Sequence, residues 1–167
     1  MERVLIAYGS SRGGTAGLAE MIGEELGKFG LETVVRPAGK VKSLDGFDAV
    51  VIAGGLYAGR WHRHARSLAR RQATALQARP VWLVSSGPLD ESAAAGDIPP
   101  VKQVAAVMSR LGVRGHVTFG GYLAADARGF PASAMAKRMA GDWRDRSHVQ
   151  RWAATVAEDL ASSRRAA

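Results

Sequence analysis

From residue 48 to 53 the chain reads Asp-Ala-Val-Val-Ile-Ala, apolar at consecutive positions rather than at alternate ones. Successive side chains of a strand point to opposite faces, so a strand apolar on both faces suits a sheet that is covered on both. The rest of the chain must then supply helices for two sides, and its periodicity does so. Strands are predicted at 2–8, 31–36, 81–85 and 113–119 besides 48–53. Between them, apolar residues fall at helical spacing: Ala19, Ile22, Leu26 and Phe29, then Ala65, Leu68, Ala69, Ala73 and Leu76. Val101, Val104, Met108 and Leu111 form a third stripe, and Val149, Trp152, Ala153, Val156 and Leu160 a fourth. Gly30, Pro37, Pro80 and Gly112 punctuate the elements, and Ser147 with Gln150 reads as a capping box before the last helix.

Five strands alternating with helices predict an open parallel sheet with helices on both faces and right-handed crossovers. All 167 residues form one domain in this reading, with no linker or internal repeat and only 161–167 fraying. The ligand site of such a sheet lies at the carboxyl ends of the strands. Three loops fall there: 9–15, 54–61 and 85–91.

The first loop runs Tyr8-Gly9-Ser10-Ser11-Arg12-Gly13-Gly14-Thr15 and opens directly into a helix. N–H groups at a helix start have no intrahelical partner, and the helix dipole favours an anion there. Ser10, Ser11 and Thr15 offer hydroxyls to the same anion, and Arg12 offers charge. A Walker loop is excluded because no lysine precedes Thr15, and a dinucleotide fingerprint because Gly9, Gly13 and Gly14 are wrongly spaced. A mononucleotide phosphate cradle remains, beside an ordinary strand-to-helix turn, which uses the same residue types.

Charge is the second unusual feature. The chain carries a formal net charge of +8. Arg60, Arg63, Arg66, Arg70 and Arg71, with His62 and His64, crowd around Trp61. Such a segment suits an anionic lipid surface, a nucleic acid or a carboxylate-bearing substrate, and equally a solvated helix face. No cysteine is present, which excludes disulfides, thiol catalysis and cysteine-based metal sites and makes a cytoplasmic location the expectation. No charged leader with a cleavage site precedes the first strand, so no signal peptide is expected. The longest apolar run, 49–57, is broken by Gly54-Gly55 and too short to span a bilayer. His62, His64, His116 and His148 are too scattered to propose a metal, and no catalytic triad or paired acid stands out.

Together the loops resemble the flavodoxin superfamily. The 8–15 segment resembles the flavodoxin loop that holds the phosphate of FMN. Leu56-Tyr57-Ala58-Gly59-Arg60-Trp61-His62, Trp82-Leu83-Val84-Ser85-Ser86-Gly87-Pro88-Leu89, Phe119-Gly120-Gly121-Tyr122-Leu123 and Gly141-Asp142-Trp143-Arg144-Asp145 are similar to segments of the branch that contains quinone-dependent protoporphyrinogen dehydrogenase. The resemblance implies a flavodoxin-like three-layer α/β sandwich with strand order 2-1-3-4-5. It implies that Ser10, Ser11, Gly13, Gly14 and Thr15, with Arg12 beside them, hold the FMN phosphate. Tyr57, Ala58, Gly59 and Trp61 would line one face of the flavin, with Trp61 stacking on it, and Ser86, Gly87 and Pro88 the other edge. Trp82, inside a strand, is expected in the core. The segment 124–146 is the expected counterpart of an insertion found in that dehydrogenase.

Three classes of function stay open. One is an FMN-dependent oxidoreductase passing electrons from an organic substrate to a quinone, working in the cytoplasm or against the inner face of the cell membrane. Another is a flavodoxin-type carrier that serves an electron-transfer partner and has no substrate of its own. The third is a flavin-free binding domain, without specific nucleic-acid recognition. A basic field favours a reduced, anionic flavin, which suits the first class. If a side chain moves protons at the site, His62 is the nearest by position.

Overall fold

A computed structural model describes residues 1–123 and 140–167. In chain order the elements are β1 (Arg3–Gly9), α1 (Gly14–Gly27), β2 (Glu32–Pro37), a 3-10 turn (Ala38–Lys40), β3 (Ala49–Tyr57), β4 (Arg60–Trp61), α2 (Arg63–Arg71), α3 (Ala73–Gln77) and β5 (Val81–Ser86). They continue with α4 (Ser92–Ala95), α5 (Lys102–Leu111), β6 (Gly115–Phe119), β7 (Tyr122–Leu123), β8 (Gly141–Asp142) and α6 (Arg146–Ala166). Five parallel strands lie in the order β2-β1-β3-β5-β6, the flavodoxin-like order expected. The short β4 folds back antiparallel on the end of β3, and β7 pairs with β8. Most of the 124–146 segment lies outside the described residues.

Side-chain alternation along the strands sorts the core into two layers. Leu5, Ala7, Val50, Ile52 and Leu83 point to one face and pack with Ala65, Leu68, Leu76, Val104 and Leu111. Their neighbours Val4, Ile6, Val51, Ala53, Trp82 and Val84 point to the other and meet Leu18, Ile22, Leu26, Val149, Ala153 and Val156. The doubly apolar 49–53 run is therefore the middle of a sandwich, and Trp82 is a core residue as expected. Burying one such large side chain contributes about 1.5–3 kcal/mol.

Four local expectations change. The end expected to fray, 161–167, is helical as far as Ala166. The first helical stripe does not reach Phe29: α1 ends at Gly27, and Phe29 is 52% exposed because Gly27 and the left-handed Gly30 stop the helix first. The helix expected to run through 65–76 breaks at Gln72, whose φ of −108° and ψ of 24° separate α2 from α3 while its side-chain amide donates to the Lys42 carbonyl at 3.1 Å. The last helix begins earlier than a Ser147 cap would have it. Asp145 is the N-cap, its carboxylate accepting from the Ser147 N–H at 2.9 Å.

Helices α1 and α6 lie side by side on one face and are joined by charge. Arg146 donates to Glu25 at 2.8 Å and to Glu24 at 3.1 Å. The hydrogen bond from Lys28 holds the Glu25 carboxyl below its ordinary value against the opposing effect of burial, and Arg146 adds to it. Among the described residues, no helix is long and apolar enough to cross a membrane.

Candidate functional site

A cavity of about 730 Å³ opens at the carboxyl ends of the strands, within the range of about 300–1,000 Å³ usual for small-molecule sites. Its floor is the loop after β1. Gly13 is the N-cap of α1 in the left-handed region (φ 84°), where an L side chain is strained, and its N–H donates to Ser10 Oγ at 3.0 Å. The helix has no side-chain cap and no acid in its first turn. The N–H groups of Gly14, Thr15 and Ala16 thus lack intrahelical partners. Thr15 is buried, and a β-carbon on Gly55 would lie 2.9 Å from its hydroxyl oxygen, so glycine there makes room for that side chain.

The second wall is built by the end of β3. Tyr57 pairs with Arg60, and between them Ala58 (φ 50°) and Gly59 (φ 74°) are both left-handed, which is the backbone of a tight two-residue hairpin turn. Ala58 and Gly59 therefore make the turn rather than line the cavity. Trp61 departs from its expected role. It is only 1% exposed, its indole N–H donates to the Val84 carbonyl at 3.1 Å, and it packs directly against Gly54. It borders the cavity, but at this burial it anchors the hairpin to the sheet and leaves little open surface for stacking. Tyr57 is the exposed aromatic on this side, at 41%, with the Arg12 guanidinium 5.5 Å from its ring centre.

The third wall joins the ends of β5 and β6. Ser86 and Gly87 line the cavity, while Pro88 does not; its carbonyl accepts the Gly121 N–H at 2.8 Å. The Gly87 N–H in turn donates to the Phe119 carbonyl at 3.2 Å. A β-carbon on Gly121 would meet the Gly87 carbonyl oxygen at 3.0 Å, so the two loops close only through glycine. Sequence reasoning left Tyr122 out of the site, yet it lines the cavity at 38% exposure, and the Arg144 guanidinium lies 4.7 Å from its ring centre. Arg144 also pairs with Asp142 at 2.7 Å and donates to the Gly14 carbonyl, tying this wall to the start of α1. The signal was available: a glycine pair followed closely by a tyrosine ends the fifth long strand, at Gly120-Gly121-Tyr122, as it does the third, at Gly54-Gly55-Leu56-Tyr57.

Of the remaining expected residues, Ser10, Ser11, Arg12, Gly14 and Thr15 all line the cavity, and Gly13 stands just behind them as the cap. Leu56, Leu89 and Leu123 supply apolar surface. Arg60, Arg63, Arg66, His62 and His64 complete the lining, which holds no carboxylate among the described residues. Arg66 buries its Nε without a hydrogen-bond partner among the described residues, a donor aimed at no protein group. Burial, then the neighbouring His64, Arg63 and Arg66, push the His62 imidazole below its ordinary value. No cluster of His and acidic side chains able to hold a metal occurs among the described residues.

These pieces suit one kind of ligand. The uncapped helix start with three hydroxyls fits a phosphate, the two exposed tyrosines and the leucines fit a flat apolar body, and the arginines fit negative charge. The lining's hydroxyls, backbone N–H groups and cations equip the protein for binding, orientation and electrostatics.

Comparison with known proteins agrees with this geometry. A family model described as a flavodoxin domain matches residues 5–141. Among solved structures, the chain is similar to a single-residue mutant of the flavodoxin from Pseudomonas aeruginosa, at 18% identity over 93% of this chain and 97% of that one, with a TM-score of 0.59. It is similar to the oxidised flavodoxin 2 of Bacillus cereus at 17% identity, covering 94% and 99%, with a TM-score of 0.63. The rubredoxin oxygen:oxidoreductase of Desulfovibrio gigas matches at 11% identity over 93% of this chain but 37% of its own, with a TM-score of 0.57. A comparison with curated protein sequences finds no significant match.

Proposed function

Because this chain belongs to the flavodoxin domain family, we propose that it is an FMN-binding electron-transfer protein whose cofactor lies in the cavity above β1, β3 and β5. One observation carries the assignment: an uncapped helix start, three hydroxyls and a carboxylate-free lining converge on a single cavity. Ser10, Ser11, Gly13, Gly14 and Thr15 hold the phosphate, with Arg12 adding charge. Tyr57 flanks the flavin on one side, where Ala58 and Gly59 shape the turn and Trp61 anchors it from below. Ser86 and Gly87 face the other edge, and Pro88 fixes the loop that carries them. When bound, FMN supplies reversible electron transfer. The chain positions it, shields it and sets the surrounding charge.

The test is direct. Purified protein, or protein reconstituted with FMN, shows oxidised-flavin absorption and quenched flavin fluorescence. Failure to bind FMN at micromolar concentration in either preparation overturns the assignment.

A second, finer reading has its own support. The arginine wall of Arg60, Arg63 and Arg66 favours an acidic reductant, as in the quinone-linked protoporphyrinogen dehydrogenase branch that the loops resemble. In that reading the FMN-loaded chain oxidises a carboxylate-bearing substrate, passes the electrons to a quinone, and meets an anionic membrane from the cytoplasmic side. Multiple turnover of a porphyrinogen with a quinone supports it. Shuttling only between a reductase and an acceptor protein leaves the carrier.

A further inference from the structure

The loop after β1 and the start of α2 meet at one side chain, His62. Its Nδ1 accepts a hydrogen bond from the His64 N–H at 3.1 Å and so closes the N-terminus of α2. A ring nitrogen that accepts carries no proton, so the neutral ring is protonated at Nε2. Nε2 stands 3.1 Å from Ser11 Oγ. The direction of that bond follows: Nε2–H donates and the serine oxygen accepts. A hydroxyl that accepts in this way keeps its own hydrogen for another acceptor, and Ser11 lines the cavity. The opposite tautomer would set an Nδ1–H against the His64 N–H, two donors facing each other.

Two further observations hold the ring in place. A β-carbon on Gly9 would lie 2.6 Å from His62 Nδ1, so only glycine at the end of β1 lets the imidazole lie against the strand. Burial and the neighbouring His64, Arg63 and Arg66 disfavour the imidazolium, which keeps the accepting nitrogen bare near neutral pH.

We propose that His62 is a positioning residue for the phosphate loop, fixing Ser11 so that its hydroxyl donates to the phosphate of the bound mononucleotide. This rests on the FMN reading. The same ring caps α2, so helix and phosphate loop share one tautomer.

Asparagine separates the two roles. His62→Asn keeps a side-chain acceptor for the helix cap but is too short to reach Ser11, whereas His62→Ala loses both. The experiment measures FMN and riboflavin dissociation constants by fluorescence quenching for the parental protein, Ser11→Ala, His62→Asn, His62→Ala and the Ser11→Ala/His62→Asn double variant. One hydrogen bond to a charged group corresponds to about tenfold in affinity. Ser11→Ala is expected to weaken FMN by about that factor and His62→Asn by several-fold, with the double variant no weaker than Ser11→Ala. Riboflavin affinity stays constant throughout, His62→Asn melts near the parental temperature, and His62→Ala melts lower. Imidazole nitrogen spectra of the parental protein show the Nε2–H form for His62. Parental FMN affinity in His62→Asn, additive losses in the double variant, equal loss of riboflavin or an Nδ1–H spectrum each overturn the proposal. Absence of FMN binding by the parental protein overturns this and the functional reading together, whereas parental binding with indifferent variants overturns only this one.

Discussion

At the start of α6, Arg146 places its guanidinium 2.8 Å from Glu25 and 3.1 Å from Glu24, whereas Arg60, Arg63 and Arg66 around the cavity have no carboxylate partner among the described residues. The same side chain serves opposite ends. On the α1 and α6 face, Arg146 neutralises charge between the two helices, and Asp159 and Arg164 of α6 pair with Arg114 just before β6 and Glu2 just before β1. Around the cavity, Arg60, Arg63 and Arg66 stand in a lining that holds no carboxylate among the described residues. Part of the chain's positive charge therefore stands where a ligand would meet it, and the contrast separates an arginine that ties two helices from arginines that face the cavity.

The largest expected effect lies at the cavity floor. Ser10→Ala with Thr15→Val removes two hydroxyls from a charged ligand and leaves the apolar packing in place, so FMN affinity falls by about 1–3 kcal/mol while riboflavin affinity holds. Titration of both flavins, followed by flavin fluorescence, measures it. Equal losses would place these hydroxyls away from the phosphate and remove the cavity from its side of the comparison.

Next in size is the exchange of arginines. Arg146→Gln should lower the melting temperature, because it weakens the tie between α1 and α6 and takes from the buried Glu25 one of its two cationic partners. Arg60, Arg63 and Arg66 changed together to Gln should leave melting nearly unaltered, since Arg60 and Arg63 are exposed charges, which contribute little, and the buried Arg66 Nε has no hydrogen bond among the described residues to lose. That triple variant should instead lower the reduction potential of bound flavin and reduce salt-sensitive association with anionic vesicles. Similar melting losses in both variants would erase the distinction. A parental protein that ignores anionic vesicles even at low salt removes the membrane part of the finer reading.

A smaller effect appears on acidification. Folding holds the Glu25 carboxyl below its ordinary value of 4.5, so its pairing stabilises the fold above that pH and is lost as pH falls through the lowered value. Thermal melts from about pH 6 to pH 3 should show an acid limb that is shallower in Arg146→Gln, where the folded carboxyl titrates closer to normal. A limb of unchanged slope would assign acid sensitivity elsewhere.

Periodicity exposed the sandwich because burial on two faces leaves a mark at every position of 48–53, and the strand order follows from the family that the loops resemble. Its misses share one cause, competition between a side chain and a local backbone event. Phe29 continues an apolar stripe, but two glycines end the helix before it. Ser147 is a good cap, but Asp145 stands two residues before it and already accepts from its N–H. In the site, the loop after β1 was legible as cavity lining because its hydroxyls and glycines stand between a strand end and a helix start. Trp61 was not: an aromatic beyond a strand end reads as a stacking platform, and only the fold-back of β4 shows its indole turned into the core toward Val84.

The smallest effect tests where the cavity wall ends. Ala58 was expected among the flavin contacts, yet the structure gives it a turn position at φ 50°, the only positive φ among the described residues other than glycine. An L residue there is strained by about 1–2 kcal/mol, part of which Ala58→Gly recovers before the greater freedom of unfolded glycine offsets it. The net expectation is a gain of about 0.5 kcal/mol or less, read by denaturant titration, with FMN affinity unchanged because the hairpin keeps its shape. A stability gain with constant affinity assigns Ala58 to the turn alone. A loss of FMN affinity would show that its methyl group touches the cofactor, and the wall of the site would then extend past Tyr57 to the tip of the hairpin.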